Sequence, residues 1–306
     1  MRAFITGLAG AALTQAEREF LREAQPWGLI LFKRNVTEPS AVRRLVEDAR
    51  AALGRAAPVL VDQEGGRVQR LGPPHWSSYP PGAAYGAIYD RDREAGLAAA
   101  RLGARLIAAD LAPLGIDVDC LPLADVQSAG ASPAIGDRGY GATADKVAAI
   151  AGAVAQGLRE GGVLPVLKHM PGHGRATVDT HLSLPVVDAD RATLEATDFA
   201  AFRPLAALPL GMTAHVVFRA IDPAAPATIS ATIVRDVIRD SIGFKGLLMS
   251  DDISMGALSG SVAERSRAAL AAGWTKEIGC KSARLFIGVP ALFGALSISA
   301  RIAVPS

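Results

Sequence analysis

Short apolar runs recur along the chain, each followed by a stretch of helical periodicity. The runs are Arg2–Gly7, Gly28–Phe32, Pro58–Asp62, Ile116–Val126, Val163–His169, Leu208–His215 and Gly246–Asp251. Unbroken apolar runs of this length suit strands buried on both faces of a parallel sheet. Between them lie amphipathic segments at Thr14–Ala24, Ser40–Leu53, Asp90–Ala112, Ala144–Glu160, Asp188–Leu205 and Ser230–Ile242. Thr37 or Ser40 is placed to cap the second helix, and Ser230 the last. Strand and helix in alternation is the βα pattern. Seven strand candidates before residue 252 predict an α/β chain folded as a (β/α)8 TIM-type barrel in a single domain. No G-x-G-x-x-G opens a helix after any of these runs, which weakens the doubly wound dinucleotide-binding alternative.

Polar residues end several of the apolar runs. Asp62, Lys168, His169, His215 and Asp251 all fall at the C-terminal ends of expected strands. A barrel assembles its active site on that rim. A polar side chain at the end of an apolar run is costly unless it is used or paired.

Composition changes this picture little. Of 306 residues, 50% are hydrophobic, 20% charged and 5% aromatic, so the core is aliphatic. A formal charge of +2 gives no reason to expect nucleic acid as a partner. The two cysteines make no disulfide framework, and Cys120 in its apolar run reads as a buried thiol. The stretch MRAFITGLAGAALTQ makes a poor signal-peptide core, and no run is long enough for a membrane span. A cytoplasmic location is the expectation.

Three segments carry candidate chemistry. The first, Lys168 to His181, holds three of the chain's five histidines. His169 and His173 have zinc-ligand spacing for a helix, but Pro171, Gly172 and Gly174 forbid one. The segment is expected to be a loop that holds substrate, with histidines that cap turns as the alternative. Within it, Asp179 stands two residues from His181, where a carboxylate can orient an imidazole for proton transfer. No G-x-S-x-G elbow points to acyl transfer. The second segment is Ser250-Asp251-Asp252-Ile253. Here Asp251 is expected to face the barrel mouth and Asp252 to cap the next turn, with both as helix-capping acids the alternative. The third, Val61 to Arg70, offers Asp62 for sugar hydroxyls and Arg67 and Arg70 as donor forks, although alone it reads equally well as a solvated turn.

The segments LILFKRN, VDQEGGRVQRL, IGDRGYG, KHMPGHG followed by DTH, MTAH and SDDISMGAL occur in that order. Together they resemble bacterial β-N-acetylhexosaminidases of glycoside hydrolase family 3, the peptidoglycan-recycling branch, over residues 1–273. The resemblance implies a retaining exo-β-N-acetylglucosaminidase acting on GlcNAc–anhydro-N-acetylmuramic acid peptides in the cytoplasm, with roles in cell-wall biogenesis, cell shape and division. It implies Asp251 as nucleophile, His181 as acid/base and Asp179 as its partner. Asp62, Arg70, Arg138, Lys168 and His169 are implied to hold the sugar. It further implies no metal or organic cofactor, a small-molecule sugar as partner, no nucleic acid or membrane, and a monomer. The alternatives are another family 3 glycosidase of β-glucosidase type and a non-catalytic sugar-binding barrel. The second would not need Asp251 and His181 together.

The resemblance stops after Ala272. The chain is therefore expected to divide into a catalytic barrel, 1–273, and an atypical tail, 274–306, which reads as frameshifted or poorly ordered. Lys276 and Glu277 interrupt the place of an eighth strand, and Leu285–Val289 is the candidate substitute.

Overall fold

In the computed structural model, residues 1–178, 183–273 and 286–289 are described. Eight parallel strands close into a barrel: β1 (Arg2–Gly7), β2 (Pro26–Leu31), β3 (Val59–Val61), β4 (Val118–Asp119), β5 (Leu164–Met170), β6 (Leu210–Thr213), β7 (Leu247–Asp252) and β8 (Phe286–Val289). Each pairs with its sequence neighbour, and β8 lies between β1 and β7, with Thr6 opposite Val289 and Met249 opposite Phe286. The eighth position is thus filled from the proposed substitute run. Lys276 and Glu277 lie outside the described residues.

Alternation along the strands sorts the core in two. Ile5, Leu60, Val118, Cys120, Val166, Leu210, Met212 and Met249 pack together inside the barrel. Their neighbours Val59, Val61, Leu167 and Leu248 face the helices and join the larger outer core. Side chains two apart share a face. Asp62 follows Leu60, Lys168 follows Val166 and Asp251 follows Met249, so the same periodicity carries these polar groups to the barrel mouth.

The helices form where their signals stand. Thr14 caps Gln15–Ala24 in a capping box with Glu17. Ser230 Oγ accepts from the Ile233 amide at the start of Ile233–Ser241, whose turns are π-helical. Neither Thr37 nor Ser40 caps the second helix. It runs Pro39–Leu53 with Glu38 at the cap and proline in its first turn, where the missing N–H costs nothing.

Three expected elements differ. The segment Asp90–Ala112 is not one helix. Gly82–Arg91 and Arg93–Leu111 are separated at Asp92, whose extended backbone lets its carboxylate cap the Ala95 amide. The segment Asp188–Leu205 is helical only over Arg191–Ala196 before two short 3-10 turns. Thr197 Oγ1 donates back to the Thr193 carbonyl there, and Pro204 lacks an amide. The run Ile116–Val126 gives only a two-residue strand because Pro122 cannot donate to a ladder.

Candidate active site

Five charged side chains of alternating sign line one side of the barrel mouth. Arg70 Nη2 donates to Asp62 Oδ2 at 3.0 Å, and Lys168 Nζ donates to Asp62 Oδ1 at 3.1 Å. The same ammonium meets Glu64 Oε1 at 2.6 Å. Arg138 then grips Glu64 with two parallel bonds, Nη2 to Oε1 at 2.7 Å and Nε to Oε2 at 2.8 Å. The order is Arg70, Asp62, Lys168, Glu64, Arg138. Bidentate, charge-assisted pairs of this kind are short and fixed in direction. Burial raises the Glu64 carboxyl, but Lys168 and then Arg138 outweigh it and hold it down at about 2. Burial likewise raises Asp62, and Lys168 and Arg70 bring it net below the ordinary carboxylate range.

A tight hairpin makes this ladder possible. Residues Gln63–Gly65 pair antiparallel with Val68–Gln69, and the turn uses Gly65 at φ +93° and Gly66 at φ +54°. A Cβ on Gly65 would stand 2.4 Å from the Pro80 carbonyl. Gln63 accepts the amides of Arg70 and Leu71, which returns Arg70 to Asp62. Arg67, expected as a second fork, points elsewhere. It binds Asp137 and the carbonyls of Pro133 and Ile135, fixing the loop that delivers Arg138. Two of the three Lys168 N–H groups are taken, and buried Arg70 Nε has no partner among the described residues. One Lys168 N–H therefore remains for a hydroxyl group.

Across the mouth stands Asp251. Burial raises its carboxyl, but the nearby His169 and His215, the Asp252 amide at 2.8 Å and Lys168 bring it net below its ordinary value. It is an anion at neutral pH. The Asp252 side chain turns away and receives the Ser254 amide and hydroxyl at 2.8 and 2.7 Å, so it caps the turn as expected. Neither acid caps the next helix, whose cap is Ser261. His215 holds the Asp252 carbonyl through Nε2 at 3.0 Å, while Nδ1 lies 2.7 Å from the Thr228 hydroxyl. Burial keeps this imidazole below its ordinary value, hence neutral, with Nε2–H donating and Nδ1 accepting.

The third part is the loop after β5, which is not helical, as its proline and glycines require. Asp125, fully buried, receives the His173 amide at 2.7 Å and contacts His169 Nδ1 at 2.7 Å. Burial raises Asp125, but His169 and His173 bring it net below its ordinary value. An ionised Asp125 makes His169 Nδ1 the N–H, leaving Nε2 for the site. His173 is buried beside it, ring centroids 5.7 Å apart. Burial first, then His169, lowers its imidazole to about 4 from an ordinary 6.5.

That shift makes a prediction. Between pH 6.5 and 4 the unfolded chain protonates His173 while the folded protein does not. Stability is therefore full above the unfolded value, falls with pH through this window and levels off below it, by on the order of 3 kcal/mol. Melting temperature measured against pH is expected to show this acidic limb in the wild type and a shallower one in His173→Gln. Parallel curves would remove the assignment.

The structure thus brings Asp62, Arg70, Arg138 and Lys168 into one network, with His169 and Asp251 beside it. Asp179 and His181 lie outside the described residues. Sequence reasoning missed Glu64 and Asp125 as partners of the expected residues, and left His215 at a strand end without a role. Among the described residues no group of three or more His, Cys, Asp or Glu side chains comes together in a way that could hold a metal ion. No helix among them is long and apolar enough to cross a membrane.

The chain is similar to known proteins of one family. A β-hexosaminidase of Alkalilimnicola ehrlichii is 38% identical over 271 residues, 87% of this chain and 77% of that protein. One from Methylococcus capsulatus is 39% identical over 279 residues, 90% of this chain and 81% of that protein. The solved structure of NagZ from Neisseria gonorrhoeae with N-trifluoroacetyl-D-glucosamine superposes with a TM-score of 0.83 at 32% identity, covering 94% of this chain and 81% of that one. A family 3 β-N-acetylglucosaminidase from Paenibacillus gives 0.84 at 30% identity, and this chain spans about half its length, 53%. The model of the glycosyl hydrolase family 3 N-terminal domain matches residues 5–298, running through the barrel and past β8, and the chain belongs to that family.

Proposed function

We propose that the protein is a retaining exo-β-N-acetylglucosaminidase that removes β-1,4-linked GlcNAc from muropeptide fragments such as GlcNAc–anhydro-N-acetylmuramic acid peptides. The observation that carries the reading is an ionised, half-buried carboxylate on the barrel's inner face, Asp251, opposite a fixed ladder of donors. Asp62, Arg70, Arg138, Lys168 and His169 hold the sugar hydroxyls. Asp251 attacks the anomeric carbon as its bond to the leaving oxygen breaks, and His181, oriented by Asp179, gives that oxygen a proton. His181 then takes a proton from water, which attacks the same carbon and releases Asp251 from the glycosyl ester. The transition state carries positive charge on the ring, and the ionised Asp251 stabilises it. The β-hexosaminidase names of relatives near 38% identity support the N-acetylated substrate. The enzyme is read as a cytoplasmic monomer whose catalytic unit does not end at residue 273, because Phe286–Val289 closes the barrel.

Assay of the purified protein on chromogenic β-N-acetylglucosaminide beside β-glucoside tests the reading. A large preference for the first is expected. Equal rates, or preference for the glucoside, would replace it with the β-glucosidase alternative, and sugar binding without turnover would leave a binding barrel.

His181→Ala is expected to slow natural substrates by about 10²–10⁴-fold and activated aryl substrates far less, because a good leaving group needs no proton. Asp179→Asn acts in the same direction more mildly. Equal losses on both substrates would reduce His181 to a loop-positioning residue.

A further inference from the structure

We propose that Glu64 is a positioning residue of the sugar site, the shared anion that holds Lys168 and Arg138 in place. The proposal rests on the reading of those two cations as sugar-binding groups.

The geometry is specific. One oxygen, Glu64 Oε1, lies 2.6 Å from Lys168 Nζ and 2.7 Å from Arg138 Nη2. The Glu64 side chain is 3% exposed and that of Lys168 is 2% exposed. Two cations this close repel strongly where water is excluded, and an anion between them turns repulsion into attraction. The two arrive from distant segments, Lys168 on β5 and Arg138 on the loop after β4, so Glu64 also sets their spacing. A carboxylate accepts at both oxygens, and here both are occupied. Glu64 is only 3% exposed, against 18% for Asp62, so its remaining lone-pair site is shielded from a sugar hydroxyl. It acts through its partners, and Asp62 remains the carboxylate with room for substrate.

The consequence concerns the charge of Lys168. The groups that act on it are Glu64 and Asp62 from the segment after β3, Arg138 from the loop after β4, Asp119 on β4 and Cys120 just after it. Asp251 on β7 also couples to it. Burial lowers the ammonium, and Glu64 first, then Asp62, reverse this and leave it well above the ordinary lysine value. With Glu64 neutral, burial and Arg138 oppose only Asp62 and the weaker partners. Lys168 would then lose its proton in the alkaline range.

The test uses Glu64→Gln and Glu64→Asp in the whole protein. On an aryl β-N-acetylglucosaminide, E64Q is expected to raise KM at least about tenfold at neutral pH while kcat changes less than about threefold, the signature of lost uniform binding. Its KM should climb further between about pH 8 and about pH 10, below the ordinary lysine range, where the wild type stays flat. E64D keeps the charge but cannot reach both cations, so it is expected to show a smaller KM rise and no alkaline climb. Side-chain NMR of labelled lysines gives a reading independent of turnover. One ammonium signal should titrate in E64Q that does not titrate in the wild type or E64D. If the wild type cleaves no β-N-acetylglucosaminide, the proposed function fails, and the NMR comparison still decides this inference. If E64Q does not fold, the graded KM and flat pH profile of E64D stand in its place. An unchanged KM in either variant overturns the proposal, as does a loss of melting temperature with no alkaline climb and no new titration.

Discussion

Replacing Asp251 with Asn is expected to lower kcat by at least about 10³-fold while leaving sugar affinity close to wild type. The side chain is nearly isosteric, so packing above Met249 survives. What disappears is the anion that attacks the anomeric carbon and stabilises positive charge on the ring. Binding is carried by the ladder on the opposite side, which contains no contact to Asp251. The Asp252 amide that Asp251 accepts can still bond the amide oxygen of Asn. A 5-fluoro β-N-acetylglucosaminyl fluoride should leave a mass increment on the wild-type peptide containing Asp251 and none on the variant. Near-normal turnover by the Asn variant, or label on a different peptide, would sink the assignment of the nucleophile.

How much of this was legible in the chain depended on whether a residue's neighbours marked it. Asp62, Lys168 and Asp251 are each a polar residue two positions beyond an interior Leu, Val or Met, so alternation alone aims them at the barrel mouth. Glu64 carries no such mark. It sits in the polar stretch DQEGGR, where only the Gly65–Gly66 turn decides which acid folds inward and which charged group stays out. The same turn sends Arg67 away and Arg70 back, which two arginines of similar spacing could not reveal. Asp125 is hidden differently. It lies past Pro122, where the apolar run stops being a strand, and its partners are amides 44 and 48 residues away. Sequence periodicity reports local faces and says nothing of contacts at that separation.

The fold shows the same division. Elements with a marked start and a regular face, such as Ala144–Glu160, form as read. Elements altered by one residue with a competing bond do not. Asp92 splits a helix because its extended backbone lets its carboxylate take the Ala95 amide and start a new one. The eighth strand is short and lies between Arg284 and Pro290, so its apolar run alone was a weak signal. Its place in the barrel comes from the open edges of β1 and β7, both of which it pairs.

The largest stability effect is expected from Lys168→Met. Methionine matches the lysine stem in shape and leaves little cavity, so the change is mostly electrostatic. Asp62 and Glu64, both held by Lys168, would each keep a single cationic partner, Arg70 and Arg138 respectively. Losing one of two partners from a buried carboxylate, Glu64, and from a half-buried one, Asp62, should cost about 3 kcal/mol at pH 7, a fall in Tm on the order of 5–10 °C. The pH dependence separates this from simple packing loss. In the wild type, Glu64 at about 2 lies below its ordinary 4.5, so its contribution is complete above 4.5 and is lost as pH falls through that window. Asp62, also lowered, behaves alike. In the variant both carboxyls sit higher and have less to lose. The Tm gap between wild type and Lys168→Met should therefore be widest near neutrality and narrow as pH falls from about 4.5 toward 3. A gap that stays constant with pH would mean that Lys168 stabilises the barrel by filling space, and that the ladder contributes little to holding it together.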